Sequence, residues 1–291
     1  MLLTSTYLVG WAQQRYVDSL FTQIEKKTFT YKDTLQLDVY TARKDKNESR
    51  PLLLVVHGGA FAGGKRDYRN EVEFSRTMAA KGYMVASMSY NLTLKGKSFG
   101  CDCPANQKIE TFRSATRDIL DALHYLSNSK ALGFDRSTVV LVGSSAGAEA
   151  VLNTAFMQRH FAFSDLVTEP VHIKGVVSLA GATVDADYIT EENAIPTLFV
   201  HGMDDGLVPY ATAAHHYCKE GTKGFIILDG ARTIANKLRA LDTSYFLAFA
   251  PNGNHDWSWL GYHYPQLIAT FINETVLEHK LIQTELDIEK E

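Results

Sequence analysis

Six short runs of almost unbroken apolar residues recur along the chain: Leu52–Val56, Tyr83–Met88, Val139–Val142, Gly175–Leu179, Thr197–Val200 and Tyr245–Phe249. A strand with one wet face alternates apolar and polar residues. A strand that is apolar at every position is buried on both faces, as in a parallel sheet covered on both sides. Segments of helical spacing lie between these runs. The longest is Ile109–Leu126, with Ile109, Phe112, Ala115, Ile119, Ala122, Leu123 and Leu126 on one side. Strands that alternate with helices need crossover connections, so the predicted fold is α/β, a mostly parallel central sheet with helices on both faces. Leu35, Leu37 and Val39 alternate with polar residues and predict a strand with one face on the core. Arg15 to Lys27 predicts a helix. Pro265 to Glu291 predicts a final helical region whose polar end, LDIEKE, frays.

A chain of 291 residues, 45% hydrophobic and 21% charged, can bury a large core. No internal repeat, low-complexity tract or linker divides it. Residues 28–291 therefore read as one domain, preceded by an N-terminal segment, 1–27. Residues 91–107 contain Gly96, Gly100, Pro104 and two cysteines without periodicity, and predict a loop placed where a partial lid could sit. The net charge of −4 offers no basic footprint for nucleic acid or an anionic membrane. No apolar run approaches the ~18 residues of a membrane span. The three cysteines, Cys101, Cys103 and Cys218, are too few for a disulfide framework. They read as free thiols or as one bridge from Cys218 to Cys101 or Cys103. The Cys-x-Cys pair has no nearby histidine ladder and does not read as a zinc site. The start, MLLTSTYLVGWAQQ, has an apolar centre, with Gly10 and Ala12 in the small-x-small spacing of a signal-peptidase site before Gln13. No basic residue precedes Arg15. Export is favoured over a cytoplasmic location on this pattern; the alternative is a short apolar segment packed on the domain.

Two stretches match G-x-S-x-G: Gly96–Gly100 and Gly143–Gly147. A nucleophile elbow needs a strand before the serine and a helix after it, with glycines two residues to either side to avoid collisions in the tight turn. Ser145 meets this test, lying between Val139–Val142 and the helical AGAEAVLNTAF. Ser98 lies between polar NLTLK and CDCP and fails it. Ser144 has Val142 and Ala146 where glycines are required.

The run Leu52–Val56 ends in His57-Gly58-Gly59-Ala60-Phe61. This resembles the HGGG-type oxyanion loop of α/β-hydrolase lipases and esterases, with Ala60 in place of the third glycine. The resemblance implies that the backbone N–H groups of Gly59, Ala60 and Ala146 act as oxyanion donors. His57 reads as structural.

A serine hydroxyl needs a histidine to take its proton and a carboxylate to orient that histidine. Thr197–Val200 runs into HGMDDGLVP, then a predicted helix, and resembles the acid loop of the α/β-hydrolases, with Asp205 as the acid and Asp204 as the competing carboxylate. Tyr245–Phe249 leads to APNGNHDW, which places His255 where the family carries its base. His215 and His216 read as core or surface residues on a helix after the acid loop. The chain order Ser145, Asp205, His255 is that of the α/β-hydrolase fold, and the resemblance extends from about Thr28 to Phe271.

The HGGAF loop, the GSSAG elbow and the early stretch YKDTLQLDVYTARKDKNESRPLLLVVHGG resemble small bacterial esterases of the hormone-sensitive-lipase and carbohydrate-acetylesterase branches. The resemblance implies a serine hydrolase that cleaves short-chain carboxylic esters through an acyl-enzyme, acetyl groups on carbohydrates among them. The implied partner is a small-molecule or carbohydrate ester, with no cofactor, metal or nucleic acid. Phe61, Trp257 and Trp259 flank the motifs and read as pocket wall or as ordinary aromatic core. The alternatives are a peptidase or aryl formamidase of the same fold, or a non-catalytic binding protein on a hydrolase scaffold.

Overall fold

The computed structural model describes residues 13–129, 132–166 and 172–289; the N-terminal stretch read as a signal sequence lies outside them. The elements in chain order are β1 (Ile24–Lys32), β2 (Leu35–Ala42), β3 (Leu52–Val56), α1 (Arg69–Ala80), β4 (Met84–Met88), α2 (Ala105–Asn128), β5 (Val139–Ser144), α3 (Ala146–Phe156), β6 (Ile173–Leu179), β7 (Ala182–Thr183), β8 (Thr197–Gly202), β9 (Thr212–Ala214), β10 (Ile227–Gly230), α4 (Ala231–Ala240), β11 (Tyr245–Ala250), α5 (Trp257–Leu260), α6 (Pro265–Phe271) and β12 (Gln283–Asp287).

Nine strands form one sheet in the order β1-β2-β4-β3-β5-β6-β8-β11-β12. β1, β2 and β4 pair antiparallel, and every other neighbour pair is parallel. The uniformly apolar runs are the inner strands, and their alternate residues feed two separate cores. Leu52, Leu54 and Val56 pack on one face with Phe112 and Ile119 of α2, Val151 of α3 and Leu238 of α4. Leu53 and Val55 pack on the other with Phe74 and Met78 of α1 and Ile268 and Phe271 of α6. This is the α/β-hydrolase arrangement, helices on both faces of a mostly parallel sheet. Among the described residues no helix is long and apolar enough to cross a membrane.

Both chain ends depart from the expectation of helix. Residues 13–23 form turns, and Ile24–Lys32 is a strand. The backbone N–H groups of Leu20 and Phe21 bond to the carbonyl of Ala80 at 2.9 and 3.0 Å, so docking on the end of α1 overrides the helical spacing. β1 then pairs with β2 through cross-strand contacts, such as the Thr28 hydroxyl donating to Asp38 at 2.6 Å. At the other end α6 stops at Phe271 and runs into a wide π-helical segment, Ile272–Leu277. The polar tail is β12, parallel to β11. Every residue of this edge strand is exposed, so it carries no apolar pattern. Its backbone pairs nonetheless, and the next residue, Ile288, plugs into the second core.

Leu54 lies at the centre of β3 with no exposed surface. Leu54→Ala should cost about 2–5 kcal/mol. Urea unfolding checks this by a lowered midpoint at an unchanged slope.

Candidate active site

Ser145 stands at the junction of β5 and α3 with φ 51° and ψ −123°, in the left-handed region that a side chain rarely adopts. The turn is tight because its neighbours are bare. A methyl group on Gly143 would lie 2.3 Å from the Gly147 carbonyl oxygen, and one on Gly147 would lie 2.1 Å from the carbonyl oxygen of Val56. The Ser145 N–H bonds to the Leu179 carbonyl on β6 at 2.8 Å, which anchors the strained residue to the sheet. The competing serines point elsewhere. Ser144 is buried and donates to the Ser258 carbonyl at 2.9 Å. Ser98 is an exposed loop residue whose hydroxyl accepts from the N–H of Gly100.

The loops after β8 and β11 bring Asp205 and His255 to this serine. The Ser145 hydroxyl oxygen lies 2.8 Å from His255 Nε2, and His255 Nδ1 lies 2.7 Å from Asp205 Oδ2. A carboxylate can only accept, so Nδ1–H donates to it and Nε2 is left to accept from the hydroxyl. Asp205 is 1% exposed. Its other oxygen accepts the N–H groups of Leu207 and Val208 at 2.8 and 3.0 Å. Burial pushes its carboxyl up, but hydrogen bonds from His201 and His255 outweigh this and hold it well below the ordinary range. It is therefore charged throughout the neutral region. Asp204, the competing carboxylate, is exposed.

The loop after β3 faces the same serine. Gly59, Ala60 and Phe61 all have positive φ, at 118°, 55° and 54°. Gly59 and Ala60 line the cleft that contains Ser145 and His255. Among the described residues, the N–H groups of Gly59 and Ala60 donate to no backbone carbonyl. The N–H of Ala146 opens α3, where helical N–H groups lack an intrahelical partner. Tyr90 braces the loop from below: its hydroxyl donates to the His57 carbonyl at 2.9 Å, and its ring stacks on the His57 ring at 4.4 Å. Burial pushes the His57 imidazole down to about 4, against the hydrogen bond to the Gly58 carbonyl that favours charge. His57 is thus a neutral prop of this loop.

The aromatic candidates divide. Trp259 is 39% exposed and lines the cleft. Phe61 has no exposed surface and packs edge-on against Tyr90, Phe99 and Phe112, so it supports the loop and does not wall the cleft. Trp257 is 3% exposed and belongs to the second core. The open cleft measures about 660 Å³ and also carries Tyr68, Arg69 and Leu207. A small cavity of about 30 Å³ shares Ala60, Ser145, Leu207 and His255 with the cleft and is also reached by Phe99, Glu149, His215 and His216.

Sequence reasoning missed Glu149. It lies four positions after Ser145 on α3, where a glutamate ordinarily faces water, yet it is 1% exposed. Its Oε1 lies 3.2 Å from Nε2 of His215, which has no exposed surface. Burial pushes the Glu149 carboxyl up to about 8 and His215 well down, so the contact joins two neutral groups. His215 and His216 lie on a single 3-10 turn, His215–Tyr217, and not on a longer helix. A short strand, β9, precedes them, and His216 turns with φ 54°.

The profile of the BD-FAE family matches residues 37–188. Acetylcholinesterase from Gallus gallus is 33% identical over 126 residues, 41% of this chain; the chain spans 15% of that relative's length. Among solved structures, esterase B from Lactobacillus rhamnosis is similar with a TM-score of 0.56 at 18% identity, covering 91% of this chain and 88% of that one. The hyperthermophilic esterase from the archaeon Pyrobaculum calidifontis has a TM-score of 0.55 at 16% identity, covering 90% and 88%. Esterase Est2 from Thermogutta terrifontis has a TM-score of 0.58 at 15% identity, covering 86% and 91%. At such identities the structural likeness is one of fold.

Glu149 makes the stability of this site depend on pH with a definite sign. Its carboxyl titrates near 4.5 when unfolded and near 8 when folded, so the unfolded chain releases a proton that the folded chain keeps. Stability from this group is full below 4.5 and declines as pH rises towards 8, by roughly 1 kcal/mol per pH unit. Glu149→Gln removes the decline. Thermal melts at pH 5 and pH 8 should show the wild type losing more melting temperature between the two than the variant does.

Proposed function

This chain belongs to the BD-FAE family, and we propose that it is a serine carboxylesterase in which Ser145 is the nucleophile, His255 the general base and Asp205 its orienting acid. The observation that carries the reading is the unbroken hydrogen-bonded chain from Ser145 through His255 to Asp205, at 2.8 and 2.7 Å, at the floor of an open cleft.

The chemistry follows from these distances. Ser145 Oγ attacks the ester carbonyl while His255 Nε2 takes its proton. Asp205, already charged, stabilises the imidazolium and keeps its proton on Nδ1. The developing oxyanion is held by the N–H groups of Gly59, Ala60 and Ala146, each worth on the order of 10²–10³ in rate. Collapse breaks the ester C–O bond, and His255 returns the proton to the leaving alcohol. Water then enters in place of the alcohol and releases the acid by the same steps.

The two spaces beside Ser145 support a division of the substrate. The small cavity of about 30 Å³ has room for roughly two water-sized groups, which suits the methyl of an acetyl ester. The cleft of about 660 Å³ suits a larger alcohol. Tyr68 and Trp259, 50% and 39% exposed, give it aromatic faces, and Arg69 and Asn70 give it polar contacts. Aromatic faces with polar neighbours favour a sugar as the alcohol.

Hydrolysis of p-nitrophenyl esters from acetate to palmitate tests the reading. Acetate should be the best substrate, with kcat/KM falling about tenfold or more once the acyl chain overfills the cavity. Ser145→Ala should lose on the order of 10⁴-fold or more, and Asp205→Asn about 10⁴-fold. Trp259→Ala should raise KM for an acetylated oligosaccharide and leave p-nitrophenyl acetate nearly unchanged. Wild type that hydrolyses no ester in the series, or Ser145→Ala that retains activity, would overturn the proposal.

A further inference from the structure

The small cavity beside Ser145 is walled in part by two segments that lie outside the central sheet. One is the loop between β4 and α2, which carries Phe99. The other is the turn after β9, which carries His215 and His216. They meet ring against ring: Phe99 lies 4.7 Å from His215 and 5.8 Å from His216, edge-on in both cases. Burial pushes His216 down to about 3, so the ring presented there is neutral.

A disulfide joins these segments. Cys101 and Cys218 are bonded with their Cα atoms 5.3 Å apart, across 117 positions of sequence. Each cysteine stands two residues beyond a wall residue, Cys101 after Phe99 and Cys218 after His216. The Cys101 sulfur also lies 3.9 Å from the His216 carbonyl oxygen. Beyond the bridge, the two segments are close at Gly224, where a methyl group would lie 2.4 Å from the Cys101 carbonyl oxygen. The fully buried Lys108 ammonium donates to the Gly224 carbonyl at 2.9 Å and lies 4.0 Å from the Cys218 sulfur. The connection between the walls is thus local and covalent, and each wall also touches the site: Phe99 packs on Phe61 of the loop after β3, and the His216 N–H bonds to the Leu207 carbonyl at 2.8 Å.

We propose that the Cys101–Cys218 disulfide determines acyl-chain length: it clamps Phe99 against His215 and His216 and holds the acyl cavity at its small size. The proposal rests on the esterase reading above. With the bridge opened, the loop that carries Phe99 is free to move away from the two histidines. The ring then vacates space next to Ser145, and longer acyl chains enter. Ser145, Asp205 and His255 keep their own ties, the Ser145 N–H to β6 and the bonds between the loops after β8 and β11, so the acetyl reaction persists. The clamp is a positioning device, since neither sulfur lines the cavity.

The test is the acyl-chain profile of the Cys101→Ser/Cys218→Ser double variant. Both cysteines are replaced because the third, Cys103, is a buried free thiol near Cys101. We expect kcat/KM for p-nitrophenyl hexanoate relative to acetate to rise about tenfold or more, as relief of overpacking allows, with acetate itself changed less than threefold. A purely stabilising bridge would lower the activity on every ester in proportion, and an unchanged ratio overturns the proposal. If the double variant does not fold, native wild type reduced with dithiothreitol below its melting temperature gives the same readout. The bridge then takes up two electrons and two protons from the dithiol, which closes to its cyclic disulfide. The same rise in ratio, reversed on reoxidation, supports the clamp, and a constant ratio refutes it. Wild type inactive on all esters would instead remove the esterase reading itself, so the two failures are distinguishable.

Discussion

The contact between Gly147 and the end of β3 is the constraint on which this structure turns. With the Val56 carbonyl so close that no side chain fits between, α3 starts directly against the strand that leads into the loop of Gly58, Gly59 and Ala60. A methyl group on Gly58 would in turn lie 3.2 Å from the Ser145 side chain. The serine and its facing N–H groups are therefore set by backbone packing, before any side chain chooses a rotamer. The left-handed φ at Ser145 costs on the order of 1–3 kcal/mol. The surrounding sheet offsets it, since β5 is paired on both sides, to β3 and to β6.

Electrostatics around His255 are divided between two buried carboxyl groups with opposite fates. Asp205 is held charged by the donors that surround it. Glu149, with no such set of donors, is pushed by burial towards its neutral form. One imidazole thus has a single charged partner, on the side away from the serine. Were both carboxylates charged, an oxyanion formed at Ser145 in the proposed reaction would face a second negative charge in a poorly screened interior. Environments that drive like groups apart in this way are a recurring means of separating roles within one site.

The inner strands were legible because burial on both faces leaves an unmistakable apolar run. That Ser145, His255 and Asp205 would meet was legible because each sits in a turn whose glycines or neighbours are demanded by backbone geometry. What escaped notice lacks those signals. β1 and β12 are edge strands, polar because they touch water, and only pairing to a neighbour makes them strands. The choice between Cys101 and Cys103 as partner of Cys218 depends on which way a loop turns, which spacing does not encode. Phe61 and Trp257 looked like pocket residues because they adjoin the motifs. Adjacency in sequence says nothing about the side of the loop on which a ring lands. Glu149 has no motif at all, and its meaning comes from burial beside His215.

The loops that carry the acid and the base are also fastened to each other. Met203 N–H bonds to the Ala250 carbonyl and Asp204 N–H to the Gly253 carbonyl, both at 2.8 Å, and their parent strands β8 and β11 are neighbours in the sheet. Ser145 belongs to β5, with β6 between. The imidazole and its carboxylate are thus fastened to one pair of neighbouring strands, and Ser145 to another. Two hydrogen bonds join these parts, Ser145 hydroxyl to His255 imidazole and Ser144 hydroxyl to the Ser258 carbonyl, and a shear of the sheet along the β6 seam would fall on both. The distance from hydroxyl to imidazole is thus guarded by the neighbouring serine, which ties the same two parts together.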